Sequence, residues 1–179
     1  RPPRGLPLVA NSPHASQRGH LVCAQGAAGR VRGDEDNLSS ERLHDSTAVS
    51  VASGASWDLN GFAETVGSIA GGGGITLGTA TLTAGGNNSD TSFSGVLSGT
   101  GGLTKSGSGT LTLTGADTYS GGTTVSTGTL ISGGAANALG TGSVSVASRL
   151  SFDTAAPVTY ANAFSVTGSG IFENIGANA

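Results

Sequence analysis

Acidic side chains are the first candidates for chemistry in residues 46–179, because sugar-cleaving enzymes use paired carboxylates as acid and base. Six carboxylates and two basic residues occur there: Asp58, Glu64, Asp90, Asp117, Asp153 and Glu173, with Lys105 and Arg149. They are scattered rather than clustered. Asp58 and Asp153 both follow a Ser and an aromatic residue, which favours solvated surface positions in a repeated unit. The sequence therefore predicts no catalytic residue.

Metal and phosphate sites are equally disfavoured. His14, His20, Cys23 and His44 lack the spacing of a metal site. The Gly71–Gly74 run is followed by neither a helix start nor a Lys, so it predicts a turn rather than a phosphate cradle. The nucleophile elbow, the dinucleotide fingerprint and the P-loop are all missing from the sequence. We expect no metal ligand, no cofactor-binding residue and no small-molecule cofactor.

Two short motifs point to binding. The tripeptide Arg32-Gly33-Asp34 is known from receptor adhesion, but three-residue matches are common by chance. Alternating threonines at 79–83 and 110–114 resemble those of ice-binding solenoids, which require a flat array repeated on every coil. We favour ordinary surface positions for both motifs.

Composition restricts the fold and the partners. The formal charge is −3, which argues against a nucleic-acid partner. Only 11% of residues are charged and 4% aromatic, whereas Gly contributes 32 residues. Few helix-forming residues stand at helical spacing, so short strands joined by tight turns are expected. No apolar run reaches the roughly 18 residues that a membrane helix needs.

Composition changes sharply near residue 45. Residues 1–45 hold 11 of the 19 charged residues, every His, the single Cys and four of the five Pro. They show neither strand nor helix periodicity, so we predict an irregular, disordered segment, and a misread reading frame is one hypothesis for it. Residues 46–179 hold 27 Gly and form the second unit.

Residues 46–179 alternate apolar and hydroxyl side chains, as half-buried strands do, and Gly-containing breaks follow almost every run. The chain also echoes itself: VSVAS at 49–53 returns at 144–148, and LSGTGGL at 97–103 is matched by VTGSGIF at 166–172. Such echoes favour an all-β solenoid over a sandwich or barrel. Offsets of 95 and 69 residues suggest a coil of about 23 residues, within the usual size of a solenoid repeat.

Alternation also predicts which side chains face inward. A one-residue slip would bury carboxylates without partners, so the register should be strict. We expect Val49, Val51, Trp57, Leu59, Val144, Val146, Leu150 and Phe152 to face the core, and Ser56, Asp58, Ser151 and Asp153 to face solvent.

The most specific stretch is GTGGLTKSGSGTLTLTG at 99–115, followed by DTYSGGTTV at 117–125, GTL at 128–130 and NALG at 137–140. This order closely resembles the autotransporter-associated β-strand repeat. GASWDLNGF at 54–62 looks similar, with Trp57 where a smaller apolar residue is usual. The resemblance covers about 46–179 and fades after Asp153. Residues 1–45 lie outside it.

The resemblance implies a right-handed parallel β-helix from the passenger of a type V secreted protein. It implies a location at the bacterial cell surface and outer membrane, or release from it. We expect this chain to be a piece of a longer protein whose signal peptide and C-terminal membrane barrel lie outside it. A structural stalk that supports secretion and display is the favoured function. An adhesive or ligand-binding module is the alternative, a carbohydrate-active β-helix the weaker one, and the host or cell-surface ligand is unknown.

Overall fold

The computed structural model describes residues 43–154 and 157–176, together with the backbone of His20–Cys23. These residues form short strands and no helix, so none of them belongs to a helix that could cross a bilayer. The strands are β1 (His20–Cys23), β2 (Ala48–Val51), β3 (Ser56–Asp58), β4 (Glu64–Val66), β5 (Ser68–Gly71), β6 (Gly74–Thr76), β7 (Leu82–Ala84), β8 (Thr91–Phe93), β9 (Leu97–Ser98), β10 (Leu103–Lys105), β11 (Thr110–Leu113), β12 (Thr123–Val125), β13 (Thr129–Ser132), β14 (Val144–Val146), β15 (Arg149–Phe152), β16 (Phe164–Val166) and β17 (Ile171–Asn174).

The strands stack into three parallel walls, as expected for a β-solenoid. Wall 1 has the order β1-β2-β5-β8-β11-β13-β15-β17, wall 2 has β3-β6-β9, and wall 3 has β4-β7-β10-β12-β14-β16. From β2 to β10 the strands fall in walls 1, 2 and 3 in turn, and each return to wall 1 lies one layer further along. From β11 onward the strands alternate between walls 1 and 3. The predicted parallel β-solenoid is confirmed.

The coils are shorter than the 23 or so residues expected from the sequence echoes. Glu64 pairs with Leu82, eighteen residues later, and Ile75 pairs with Leu97, twenty-two residues later. The two VSVAS copies lie in β2 of wall 1 and in β14 of wall 3, so their offset is not a whole number of coils. The echo is a repeated unit of strand, corner and strand. Its first copy connects wall 1 to wall 2, and its second copy connects wall 3 to wall 1.

Inward side chains stack in register from coil to coil and form the core. Leu111 pairs with Leu130, which pairs with Leu150, and all three are buried. Val125 and Val146 repeat the pattern in wall 3. Branched and β-branched side chains suit this arrangement, because each fills the space above its counterpart on the pleated surface. The result is one narrow apolar column that every coil shares with its neighbours.

Wall 2 keeps its backbone hydrogen bonds after its last strand. The Thr118 N–H donates to the Leu97 carbonyl at 2.8 Å, and the Thr141 N–H donates to the Tyr119 carbonyl at 2.8 Å. Later coils therefore replace regular strands with irregular extended chain on this side.

The predicted inward and outward positions are confirmed with one exception. Buried as predicted are Val49, Val51, Trp57, Leu59, Val144, Val146 and Leu150, and Phe152 is half-buried against the core. Ser56 and Asp153 are exposed, and Asp58 is half-buried. Ser151 is only 2% exposed, so its predicted exposure is wrong. It lies between Ile131 and Glu173 in wall 1, and these larger side chains shield a small serine.

Part of the N-terminal segment departs from the irregular structure predicted for it. His20–Cys23 forms β1 and pairs in parallel with β2, from His20 opposite Ala48 to Cys23 opposite Val51. These four residues therefore extend wall 1. The rest of residues 1–42 lies outside the described residues, and the boundary at residue 45 stays a prediction.

Tight corners between walls leave no space for a side chain at Gly95. A Cβ there would lie 1.7 Å from the Gly73 carbonyl oxygen in the preceding coil. Gly74 is the matched contrast, because the nearest atom to its Cβ would be the Val96 carbonyl oxygen at 3.9 Å.

Gly95→Ala should therefore lower the free energy of unfolding of the full chain by about 1–3 kcal/mol, the usual cost of overpacking. Gly74→Ala should change it by less than about 0.5 kcal/mol. Urea unfolding followed by circular dichroism measures both. Equal losses in the two variants would show that the close approach at Gly95 does not constrain the coil.

Trp57 is the only Trp of the chain and is 2% exposed, so its emission reports the register of β3. We expect blue-shifted fluorescence from the folded chain and a red shift on unfolding. Water-like emission from the folded chain would mean that β3 is turned by one residue.

Candidate functional site

Asp58, Asp90 and Glu173 are each engaged with a different nearby group and form no shared cleft. Asp58 Oδ1 accepts a hydrogen bond from the Asn60 N–H at 2.8 Å, and Asp90 Oδ1 accepts one from the Thr110 N–H at 2.6 Å. Glu173 forms an ion pair with Arg149 on the surface of wall 1. These carboxylates cap backbone donors or join neighbouring strands. They give no arrangement of acid and base around a common point.

The other sequence candidates are not brought together into a site. Within residues 43–154 and 157–176, nowhere do three potential metal ligands converge. His44 is exposed and its Nδ1 lies 2.8 Å from the Ser46 hydroxyl. His20 and Cys23 are described by backbone alone, and both His14 and Arg32-Gly33-Asp34 lie outside the described residues.

The Gly run and the threonine arrays also have structural explanations. In the Gly71–Gly74 run, Gly71 ends β5, Gly74 begins β6, and Gly72 and Gly73 form the corner between them. The array at 110–114 begins in wall 1, where Thr112 is followed on the next coil by Ile131. The array at 79–83 ends in wall 3 at Thr83, so the two arrays lie on different walls. They do not combine into a flat surface.

Three buried charged residues were missed by the sequence reading: Glu64, Lys105 and Asp117, at 3%, 1% and 0% exposure. Alternation carried the signal, because each stands two residues from an inward side chain. Glu64 alternates with Val66, and Lys105 with Leu103. Charged residue types favour exposed positions, whereas the alternation of the chain places these three side chains in the core.

Lys105 is held by a cage of backbone carbonyls. Its Nζ donates to the carbonyl oxygens of Ser106 at 2.6 Å, Gly107 at 2.9 Å and Thr127 at 3.3 Å. Thr127 belongs to the next coil, so the ammonium group joins two layers. Burial lowers the pKa of Lys105, and the charge of Asp90 partly offsets this. The three carbonyls replace the water that the ammonium group loses on folding.

Asp117 is the second buried polar position. Its Oδ1 accepts a hydrogen bond from the Leu97 N–H at 2.7 Å, and its backbone carbonyl accepts one from Asn137 Nδ2 at 2.7 Å. Its Oδ2 is buried and has no hydrogen-bond partner in the part of the chain that the structure describes. Burial raises the pKa of Asp117 to about 8, although the Leu97 hydrogen bond opposes the shift.

Tyr119, two residues further on, is also completely buried. Its hydroxyl donates to the Thr123 hydroxyl oxygen, and the Thr123 hydroxyl donates to the Leu139 carbonyl at 2.9 Å. Burial raises the pKa of Tyr119 well above its ordinary value, so the phenol stays neutral. Together these bonds tie the interior of wall 2 to wall 3.

An aromatic cluster lies at the C-terminal end of the described coils. Its rings are Phe152, Tyr160, Phe164 and Phe172, and the centroids of contacting rings lie 5.0–6.4 Å apart. A cavity of about 410 Å³ opens beside Phe152 and Tyr160. Phe164 pairs with Val144 and Phe172 with Leu150, so both occupy inward positions of the core column although they are 38% and 42% exposed.

Comparison with known proteins identifies one repeat. Residues 103–131 match the family described as passenger-associated-transport-repeat, which confirms the resemblance to autotransporter passenger repeats. The matched segment runs from β10 through β12 into β13 and includes Lys105, Asp117 and Tyr119. No curated protein and no solved structure matches the chain.

The carbonyl cage predicts unequal costs for replacing the two basic residues of the solenoid. Lys105→Met should lower the free energy of unfolding by about 2–3 kcal/mol, because three buried carbonyls lose a charged donor. Arg149→Met should cost less than about 1 kcal/mol, since its ion pair is partly solvated.

Chemical denaturation at neutral pH and moderate salt measures both variants. A Lys105→Met variant no less stable than Arg149→Met would contradict a stabilising role for the cage.

Proposed function

We propose that residues 46–179 are a non-enzymatic stalk segment of an autotransporter passenger, which supports secretion and surface display. The supporting observation is the stack itself. Wall 1 continues through eight parallel strands, and the core column runs beneath it. The match to the passenger repeat at 103–131 supports the same class of protein.

Folding of such a stack outside the cell can make secretion of the chain effectively one-way. A coil buries its apolar side chains only against a neighbour that is already formed, so structure propagates from one end. Each coil that folds outside the membrane gains free energy and opposes return of the chain. Few charges, 11% of residues, keep the cost of passing an extended chain through a narrow pore low.

This proposal includes a location and a partner. The segment would stand at the outer membrane surface of a bacterium or be released from it. Its partner during export would be the membrane barrel of the same full-length protein. No nucleic acid or small-molecule cofactor takes part, and the ligand of the complete passenger is left open.

The alternative, an adhesive or ligand-binding module, draws on the exposed aromatic cluster. Phe164 and Phe172 occupy inward register positions, however, so a further coil stacked on this end would cover them. A carbohydrate-active β-helix would need converging carboxylates, whereas Asp58, Asp90 and Glu173 are each engaged separately. The stalk accounts for both observations.

A display experiment tests the stalk function. The full chain is inserted between an N-terminal epitope and the membrane barrel of an autotransporter, and surface epitope is measured on intact cells with and without external protease. We expect efficient display with the native sequence and with Gly74→Ala. Gly95→Ala should reduce surface epitope several-fold, because its coils fold less favourably.

Total epitope in lysed cells serves as the control for expression. Equal display by Gly95→Ala, in a chain shown to be destabilised by that change, would contradict a role for coil folding in export.

A further inference from the structure

Asp117 connects three successive coils in the part of wall 2 that has no regular strands. Its side chain binds the Leu97 N–H of the preceding coil, and its backbone carbonyl binds the Asn137 amide of the following one. The Thr118 N–H adds a bond to the Leu97 carbonyl at 2.8 Å. Loss of Asp117 from this position would therefore loosen wall 2 on both sides.

The second carboxyl oxygen makes this connection sensitive to ionisation. Asp117 is 0% exposed, and no donor from the described residues lies within hydrogen-bond distance of its Oδ2. A negative charge on an unpaired buried carboxylate is costly, so the group stays protonated while the wall is closed. The charged form is stable only after the side chain reaches water.

The described residues that form hydrogen bonds with Asp117 carry no charge. Tyr119 is a neutral phenol engaged with Thr123, and Leu97 and Asn137 contribute uncharged groups from the adjacent coils. The Lys105 ammonium group is held in its own carbonyl cage. An ionised Asp117 can therefore reach water only when wall 2 opens.

We propose that Asp117 is a pH-sensitive lock: as a neutral acid it holds wall 2 closed from Leu97 to Asn137, and its ionisation in alkali opens the wall there. The direction follows from linkage. Burial raises the pKa of the folded-state carboxyl to about 8, above the value of 3.8 for an ordinary Asp. The stabilisation is therefore complete at acid pH and is lost as the pH rises toward about 8.

Hydrogen exchange at the Leu97 amide tests the lock, because this N–H donates directly to Asp117. After correction for intrinsic exchange, protection in the native full chain should fall about tenfold per pH unit between about pH 5 and pH 8. Asp117→Asn should abolish this dependence. Asp153→Asn, a change at an exposed carboxylate, should retain it.

The same slope in Asp117→Asn, or no slope in the native chain, would overturn the lock. A titration of the native chain by carbon-13 NMR of its Asp carboxyls decides the matter if the variant fails to fold. One carboxyl should titrate near pH 8. If every Asp titrates at ordinary acid pH, the proposal is wrong, and the stalk function is unaffected.

Discussion

Stacking of each coil on its neighbours is the constraint on which the rest of this structure depends. A single coil offers one thin layer of apolar side chains and unpaired strand edges, so it is not stable alone. In the stack, Leu111, Leu130 and Leu150 cover one another, and strand after strand pairs in parallel. Corners must then bring backbones very close together, and Gly95 meets the preceding coil where even a methyl group has no room.

A core this narrow has little capacity for charge, and it accommodates the ionisable side chains of Lys105 and Asp117 in different ways. Three carbonyl oxygens accept hydrogen bonds from the Lys105 Nζ and replace its water. Among the described residues, one donor serves the two carboxyl oxygens of Asp117, so the neutral acid is favoured. Both residues bind groups of neighbouring coils. They join neighbouring layers, and both belong to the segment that matches the passenger repeat.

The proposed stalk function unites these features through folding rather than through a binding site. Inter-coil bonds, the continuous column and the small side chains at the corners all favour the addition of coils in order. The exposed aromatic rings at the C-terminal end occupy inward positions of the same column. Polar groups buried in wall 2 would then change the stability of individual coils. Asp117 would make the stability of its own coil depend on pH.

Much of this fold is determined by the sequence alone, because alternation is a local property. It identified the inward faces of β2, β3 and β14, and the ordered motifs at 99–140 identified the repeat. The sequence does not give the correct coil length, because the two VSVAS copies lie in different walls. Their spacing is therefore not a whole number of coils. Burial of Glu64, Lys105 and Asp117 also needed the structure. Alternation pointed inward at these residues, but only the carbonyls and amides of adjacent coils show how their polar groups are accommodated there, and those neighbours lie about twenty residues away in the sequence.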